Sequence, residues 1–353
     1  MRSKGIVYRD DLFCILRLDE MSRDVETRRV MELQGVADPL HCVTIENEKL
    51  RLRVMPGLGG KIASVCVMPE GWELLQQPLK PYDVRTRDMM FEDADASGID
   101  ECLPSVSASH VTTPVGVVAV PDHGDFWRIP FSFVQTGNEV TLEARGWSLP
   151  LLFRRTIVLE GNSIRLTYLV ENTSTHTVEY LWSVHPSFAV DAGDRVSLPA
   201  SIRQVVVEDS HRLRLGQPGS RHEWPCIVDG SGDRVDLSQV LGPEQEVAEK
   251  IFSAAPVEGW AALERCKIQR RIVMRFDPKK NPYLGIWLCY GGWPMDRSPR
   301  QQCVALEPCT APVDSLAQAI EHGYARALVA HGRDEWQVVI EVHPLTQEAM
   351  RNG

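Results

Sequence analysis

The chain has 353 residues, 43% hydrophobic and 24% charged, which is enough apolar material for a large packed core and argues against disorder. A net charge of −10 with no basic stripe excludes a nucleic-acid binder as the default and favours a small, uncharged ligand. Nine cysteines without CxxC pairs or zinc spacing indicate buried thiols in a reducing compartment rather than a disulfide framework.

The amino terminus, MRSKGIVYRDDLFCILRLDE, interrupts its apolar residues with charges before a signal-type core can form. With no apolar run long enough to span a bilayer, the expected location is cytoplasmic, without a membrane partner. Mixed charged and apolar spacing over Met21 to Leu33 predicts a peripheral helix within an extension, 1–41, that packs on the body of the protein. From Cys42 the pattern changes to short alternating runs punctuated by Gly, Pro, Asn and Asp, the signature of an all-β sandwich or barrel.

CVTIENEKLRLRVMP reads as a hairpin turning at Glu46 to Lys49, and PGLGGK as a tight turn entering the strand IASVCV. The second stretch lacks Walker spacing and a following helix, so a phosphate loop is not supported, although Lys61 is placed to face a cleft. GVVAV precedes PDHGDFW, which carries His123, and FSFVQTGNEVTLEAR turns at TGNE. LFRRTIVLEGNSIRLTYLVENTS is the clearest hairpin, turning at EGNS. It is followed by EYLWSVHPSFAV, a buried strand pattern interrupted by His185. The charged, Gly-rich region from about Ser210 to Ala248 reads as a long excursion. RRIVMRFD, YLGIWLCYGG, CVALEP and EWQVVIEVHP supply late strands, and Asp314 to Ala330 carries apolar residues four apart, predicting a second peripheral helix. No repeat or low-complexity linker divides the chain, so residues 1–353 are expected to form a single domain.

There is no nucleophile elbow and no HExxH helix, so neither a serine hydrolase nor a zinc protease has local support. What remains is polar residues embedded in apolar strands: His123, His185, and Glu307 in VALEPCTAP. A carboxylate in such a setting needs a cation or a donor beside it. A sandwich that brings His185 and Glu307 together holds a proton donor and a proton acceptor in one cleft, the minimum for opening a hemiacetal. Trp127, Trp182, Trp287 and Trp293 are available to stack on a sugar ring.

The ordered series LRVMPGLGGKIASV, PDHGDFW, WSVHPSF, VALEPCTAP and EWQVVIEV resembles the aldose 1-epimerase (galactose mutarotase) superfamily over 42–344. The resemblance implies an antiparallel super-β-sandwich with a few peripheral helices and a sugar cleft, with no metal or organic cofactor for the chemistry. It also implies an isomerase in which His185 is the general acid, Glu307 the general base and His123 a substrate-binding histidine. Asp100 and Glu101 in GIDECLPSV resemble an acidic patch near the sugar hydroxyls, with Arg87 and Lys61 as further binding candidates. The asparagine-arginine segment and the binding aspartate of the best-known members have no secure counterpart, which leaves the sugar open. Three other readings remain: a hexose-6-phosphate mutarotase using Arg85, Arg87 and Lys61, a carbohydrate-binding protein without catalysis, and a lyase or glycosidase. The expected partner is a monosaccharide or sugar phosphate, and the oligomeric state is open.

Overall fold

In the computed structural model the described residues are Gly35 and 38–346, apart from position 255. The predicted helix at Met21 to Leu33 and nearly all of the 1–41 extension lie outside them. The described residues fall within one compact unit, 33–353.

Alternation of apolar and polar residues dictates the architecture. The hairpin Val43–Glu46 and Leu50–Met55 buries every second side chain, as does the longer pair Leu151–Glu160 and Ser163–Asn172, whose turn is the predicted EGNS. Two large sheets result. One is twelve-stranded, with a central run Lys61–Val67, Ile99–Cys102, Ser183–Pro186, Gln302–Cys309, Tyr283–Tyr290, Val247–Ala254 and Gln204–Ser210. The other is eight-stranded, and its middle strands are Arg270–Phe276, Arg333–Pro344, Ser163–Asn172 and Leu151–Glu160. The pairings between successive strands of both sheets are antiparallel. Side chains from both sheets, among them Leu52, Val65, Val184, Leu306, Leu166, Tyr168 and Val338, form one continuous core.

The fold is thus the expected all-β sandwich. PGLGGK forms a tight turn: Gly59 has φ +70°, and a Cβ there would lie 2.1 Å from the Trp127 carbonyl oxygen, so only glycine fits. The region after Ser210 is an excursion with short strands at Arg221–Glu223, Cys226–Val228 and Arg234–Asp236. The predicted helix over Asp314 to Ala330 is shorter than its spacing suggests. Helix Leu316–Glu321, capped by the Ser315 hydroxyl, stops at Gly323 in the left-handed conformation, and the chain continues as strand Arg326–Leu328. Of the eight described cysteines, all of them free thiols, Cys102, Cys289, Cys303 and Cys309 are buried. Among the described residues no helix is long and apolar enough to cross a membrane.

Candidate active site

Strand alternation sorts the central residues of the large sheet onto two faces. Glu101 and Val184 are cross-strand partners facing the second sheet, whereas Asp100 and His185 are partners on the opposite face. Pairing of Ser183 with Cys309 and of Phe188 with Val304 sets Glu307 beside His185 on that opposite face. The two residues meet: His185 Nδ1 lies 2.9 Å from Glu307 Oε1.

The other carboxylate oxygen, Oε2, accepts from Lys250 Nζ and, at 3.3 Å, from the Ser183 hydroxyl. Lys250 Nζ also lies 3.7 Å from Asp314 Oδ1, an oxygen without a hydrogen-bond partner. Burial pushes the Glu307 carboxyl up, but Lys250 and His185 outweigh it and hold the group at about 2. Lys250 is likewise held as a cation, its pKa lowered by burial and raised further by Asp314 and Glu307. Nearby, burial and the charge of Asp314 push Glu208 up to about 7.

His123 joins from the turn after Pro121. Its φ is +56°, its Nδ1 lies 3.0 Å from Asp122 Oδ1, and its ring stacks on Phe91 at 4.0 Å. Phe91 meets the His185 ring edge-on at 5.5 Å, and the two histidine rings are 5.7 Å apart. These residues surround a cavity of about 140 Å³ lined by the aromatics Phe91, Trp287 and Trp293, by Val106, and by the polar His123, His185, Asp209, Lys250, Gln301 and Asp314. Gln301 fixes Trp287 by accepting from its Nε1 at 3.1 Å. Glu307, 1% exposed, lies directly behind His185 and Lys250. A larger groove of about 1020 Å³, with Arg203, Trp224 and Tyr283 in its lining, contains none of the candidate acid–base residues. Chemistry rather than size therefore selects the smaller cavity.

Of the residues singled out in the sequence, His185, Glu307, His123 and Trp287 come together, with Trp293. Others differ from expectation. Glu101 faces the sandwich interior, where it accepts from Arg155 at 2.7 Å, Tyr168 at 3.0 Å and the Trp182 indole at 2.9 Å. Trp182 and Trp127 are fully buried and unavailable for stacking. Asp100 is on the site face, yet it is buried and committed to Lys61 and Arg85, which also bind Asp95. Lys61 is consequently buried within this ion-pair cluster and does not line the cavity. Arg87 is exposed and does not line the cavity; its carbonyl accepts from Arg128.

Lys250, Asp314, Asp209, Phe91 and Gln301 went unrecognised. The one signal in the sequence was a lysine within VAEKIFSA, a strand whose first seven residues are all buried. Among the described residues no cluster of three or more His, Cys, Asp and Glu side chains is placed to hold a metal ion.

No family model and no curated protein matches the chain. Solved structures do. A candidate aldose 1-epimerase from Escherichia coli K12 is 18% identical with a TM-score of 0.65, covering 86% of this chain and 99% of its own. A galactose mutarotase related enzyme from Lactobacillus acidophilus is 16% identical with a TM-score of 0.65, covering 87% and 99%. A galactose mutarotase-like protein from Lactobacillus casei is 16% identical with a TM-score of 0.59, covering 86% and 100%. At these identities the likeness establishes the fold, a mutarotase-type β-sandwich.

Proposed function

We propose that this mutarotase-type sandwich interconverts the α and β anomers of an aldose by acid–base ring opening. The observation that carries the reading is the 2.9 Å contact between His185 Nδ1 and Glu307 Oε1 beside a small aromatic-lined cavity. A carboxylate offers about four lone-pair sites. His185, Lys250 and Ser183 use three, which leaves one, on Oε1, for the anomeric hydroxyl. That hydroxyl donates to the free Oε1 site, beside the one His185 occupies. Glu307 takes its proton, His185 as imidazolium protonates the ring oxygen, and the C1–O5 bond breaks to give the open-chain aldehyde. Rotation about C1–C2 and reclosure, with the two groups in exchanged roles, delivers the other anomer. His123 binds a substrate hydroxyl, and Phe91, Trp287 and Trp293 offer apolar surface to the ring.

The charges favour an unphosphorylated sugar. Apart from the histidines, Lys250 is the one cation among the described lining residues, and Glu307 and Asp314 already engage it. Of the phosphate candidates, Lys61 and Arg85 are buried in ion pairs with Asp95 and Asp100, and Arg87 is exposed and does not line the cavity.

Polarimetry on freshly dissolved neutral aldoses and their 6-phosphates tests the proposal. Wild type should accelerate equilibration of a neutral aldose, and His185→Asn and Glu307→Gln should each reduce that acceleration roughly 10²–10⁴-fold. Sugar binding without acceleration in wild type would overturn catalysis in favour of a carbohydrate-binding protein, and preference for a 6-phosphate would overturn the substrate assignment.

A further inference from the structure

Acid–base exchange between Glu307 and His185 has no need of a lysine, yet Lys250 forms a buried ion pair with Glu307. We propose that Lys250 is a positioning residue of this site: it pins the Oε2 edge of Glu307, keeps that carboxylate ionised, and leaves Oε1 for His185 and the sugar. The inference rests on reading the site as an anomer-exchange centre.

Geometry makes the contact a built feature. Lys250 pairs with Trp287 on the neighbouring strand, while Glu307 pairs with Gly285 from the other side of that strand. The ammonium therefore crosses an intervening strand diagonally, past Gly285. A Cβ at Gly285 would lie 3.2 Å from Glu307 Oε2, 3.3 Å from Glu307 Cβ and 3.0 Å from the Phe252 ring, so any side chain there would crowd the oxygen that receives Lys250. No positive φ requires glycine at this position; the open space does. The Phe252 ring, whose centroid is 5.2 Å from Lys250 Nζ, flanks the ammonium and adds a cation–π contact.

The surrounding charges show what the lysine opposes. From the Gln204–Ser210 strand come Glu208 and Asp209, and from the segment after the Glu307 strand comes Asp314. His185 and, farther off, His123 are the other groups able to carry positive charge. Asp100, behind His185, is neutralised by Lys61 and Arg85. The thiols of Cys102, Cys303 and Cys309 complete the surroundings, all pushed up by burial. Without Lys250, Glu307 would be a buried carboxylate facing Asp314 with His185 as its remaining cationic partner and the Ser183 hydroxyl as its other donor, and its proton affinity would rise.

The test is titration of the Glu307 carboxyl by carbon-13 NMR in glutamate-labelled protein, assigned by loss of its signal in Glu307→Gln, alongside anomer exchange against pH. Wild type should remain ionised at pH 4. Lys250→Met should raise the midpoint by at least one pH unit and move the acid limb of kcat with it, leaving KM within about twofold. Lys250→Arg, which keeps the charge, should restore most of the wild-type titration. Should Lys250→Met fail to fold, Gly285→Ala provides the same test by crowding the contact, and its Glu307 midpoint should rise too. An unmoved midpoint in the folded variant would overturn the inference. The titration needs no sugar, so absence of anomer exchange in wild type would overturn the functional reading separately.

Discussion

Glu101 and Glu307 are both glutamates of the large sheet, both almost wholly buried, and each has three hydrogen-bonding side chains around it. Their proton affinities move in opposite directions. Burial dominates at Glu101 and raises its pKa even against Arg155, Trp182 and Tyr168, whereas at Glu307 the charges of Lys250 and His185 prevail. The partners of Glu101 close it into the sandwich between the two sheets. Those of Glu307 lie on the other face, and two of them, His185 and Lys250, line a cavity. Burial and hydrogen bonding do not mark a functional carboxylate; a titratable partner with access to solvent-sized space does.

Breaking the interior pair should cost stability and spare chemistry. Arg155→Met leaves Glu101 buried without its cation, which is expected to cost about 3–5 kcal/mol. Chemical denaturation should show that loss, while anomer exchange per folded molecule stays near wild type. An equal fall in exchange would mean the two faces are coupled.

A smaller effect sharpens the comparison at the edge of the site. Glu208, raised to about 7 by burial and by Asp314, binds its proton more tightly in the folded state than its ordinary value of 4.5 allows in the unfolded chain. Its stabilising contribution is complete below pH 4.5, declines as pH rises, and is gone above about 7. Glu208→Gln removes this dependence, so its Tm should exceed that of wild type more at pH 8 than at pH 4.5. The same difference at both values would contradict the assignment.

The hairpins were legible from their period-two pattern, and His185 and Glu307 because each interrupts such a pattern with a residue that burial penalises; His123, in a turn, was singled out through the resemblance of PDHGDFW. Asp100 and Glu101 show where such reading ends. As neighbours on a strand they necessarily face opposite ways, and which one faced the cleft depended on the register with the His185 strand. Lys61 sat after a turn correctly read, but its burial in ion pairs depended on Asp95 and Asp100, 34 and 39 residues away. Lys250 and Asp314 were missed because their meaning lies in long-range pairing: Asp314 looked like a helix start and is one residue before the true cap, Ser315. The longer helix over 314–330 failed at Gly323, where a breaker prevailed over apolar spacing.

The central claim is that His185 and Glu307 act as one acid–base unit on a sugar. Magnetisation-transfer NMR between the anomers of a neutral aldose, measured for wild type, His185→Asn, Glu307→Gln and the double variant, addresses it directly. Groups that work as a unit give non-additive losses, so the double variant should be no slower than the slower single. Wild-type exchange no faster than buffer, or losses that multiply in the double variant, would contradict the account.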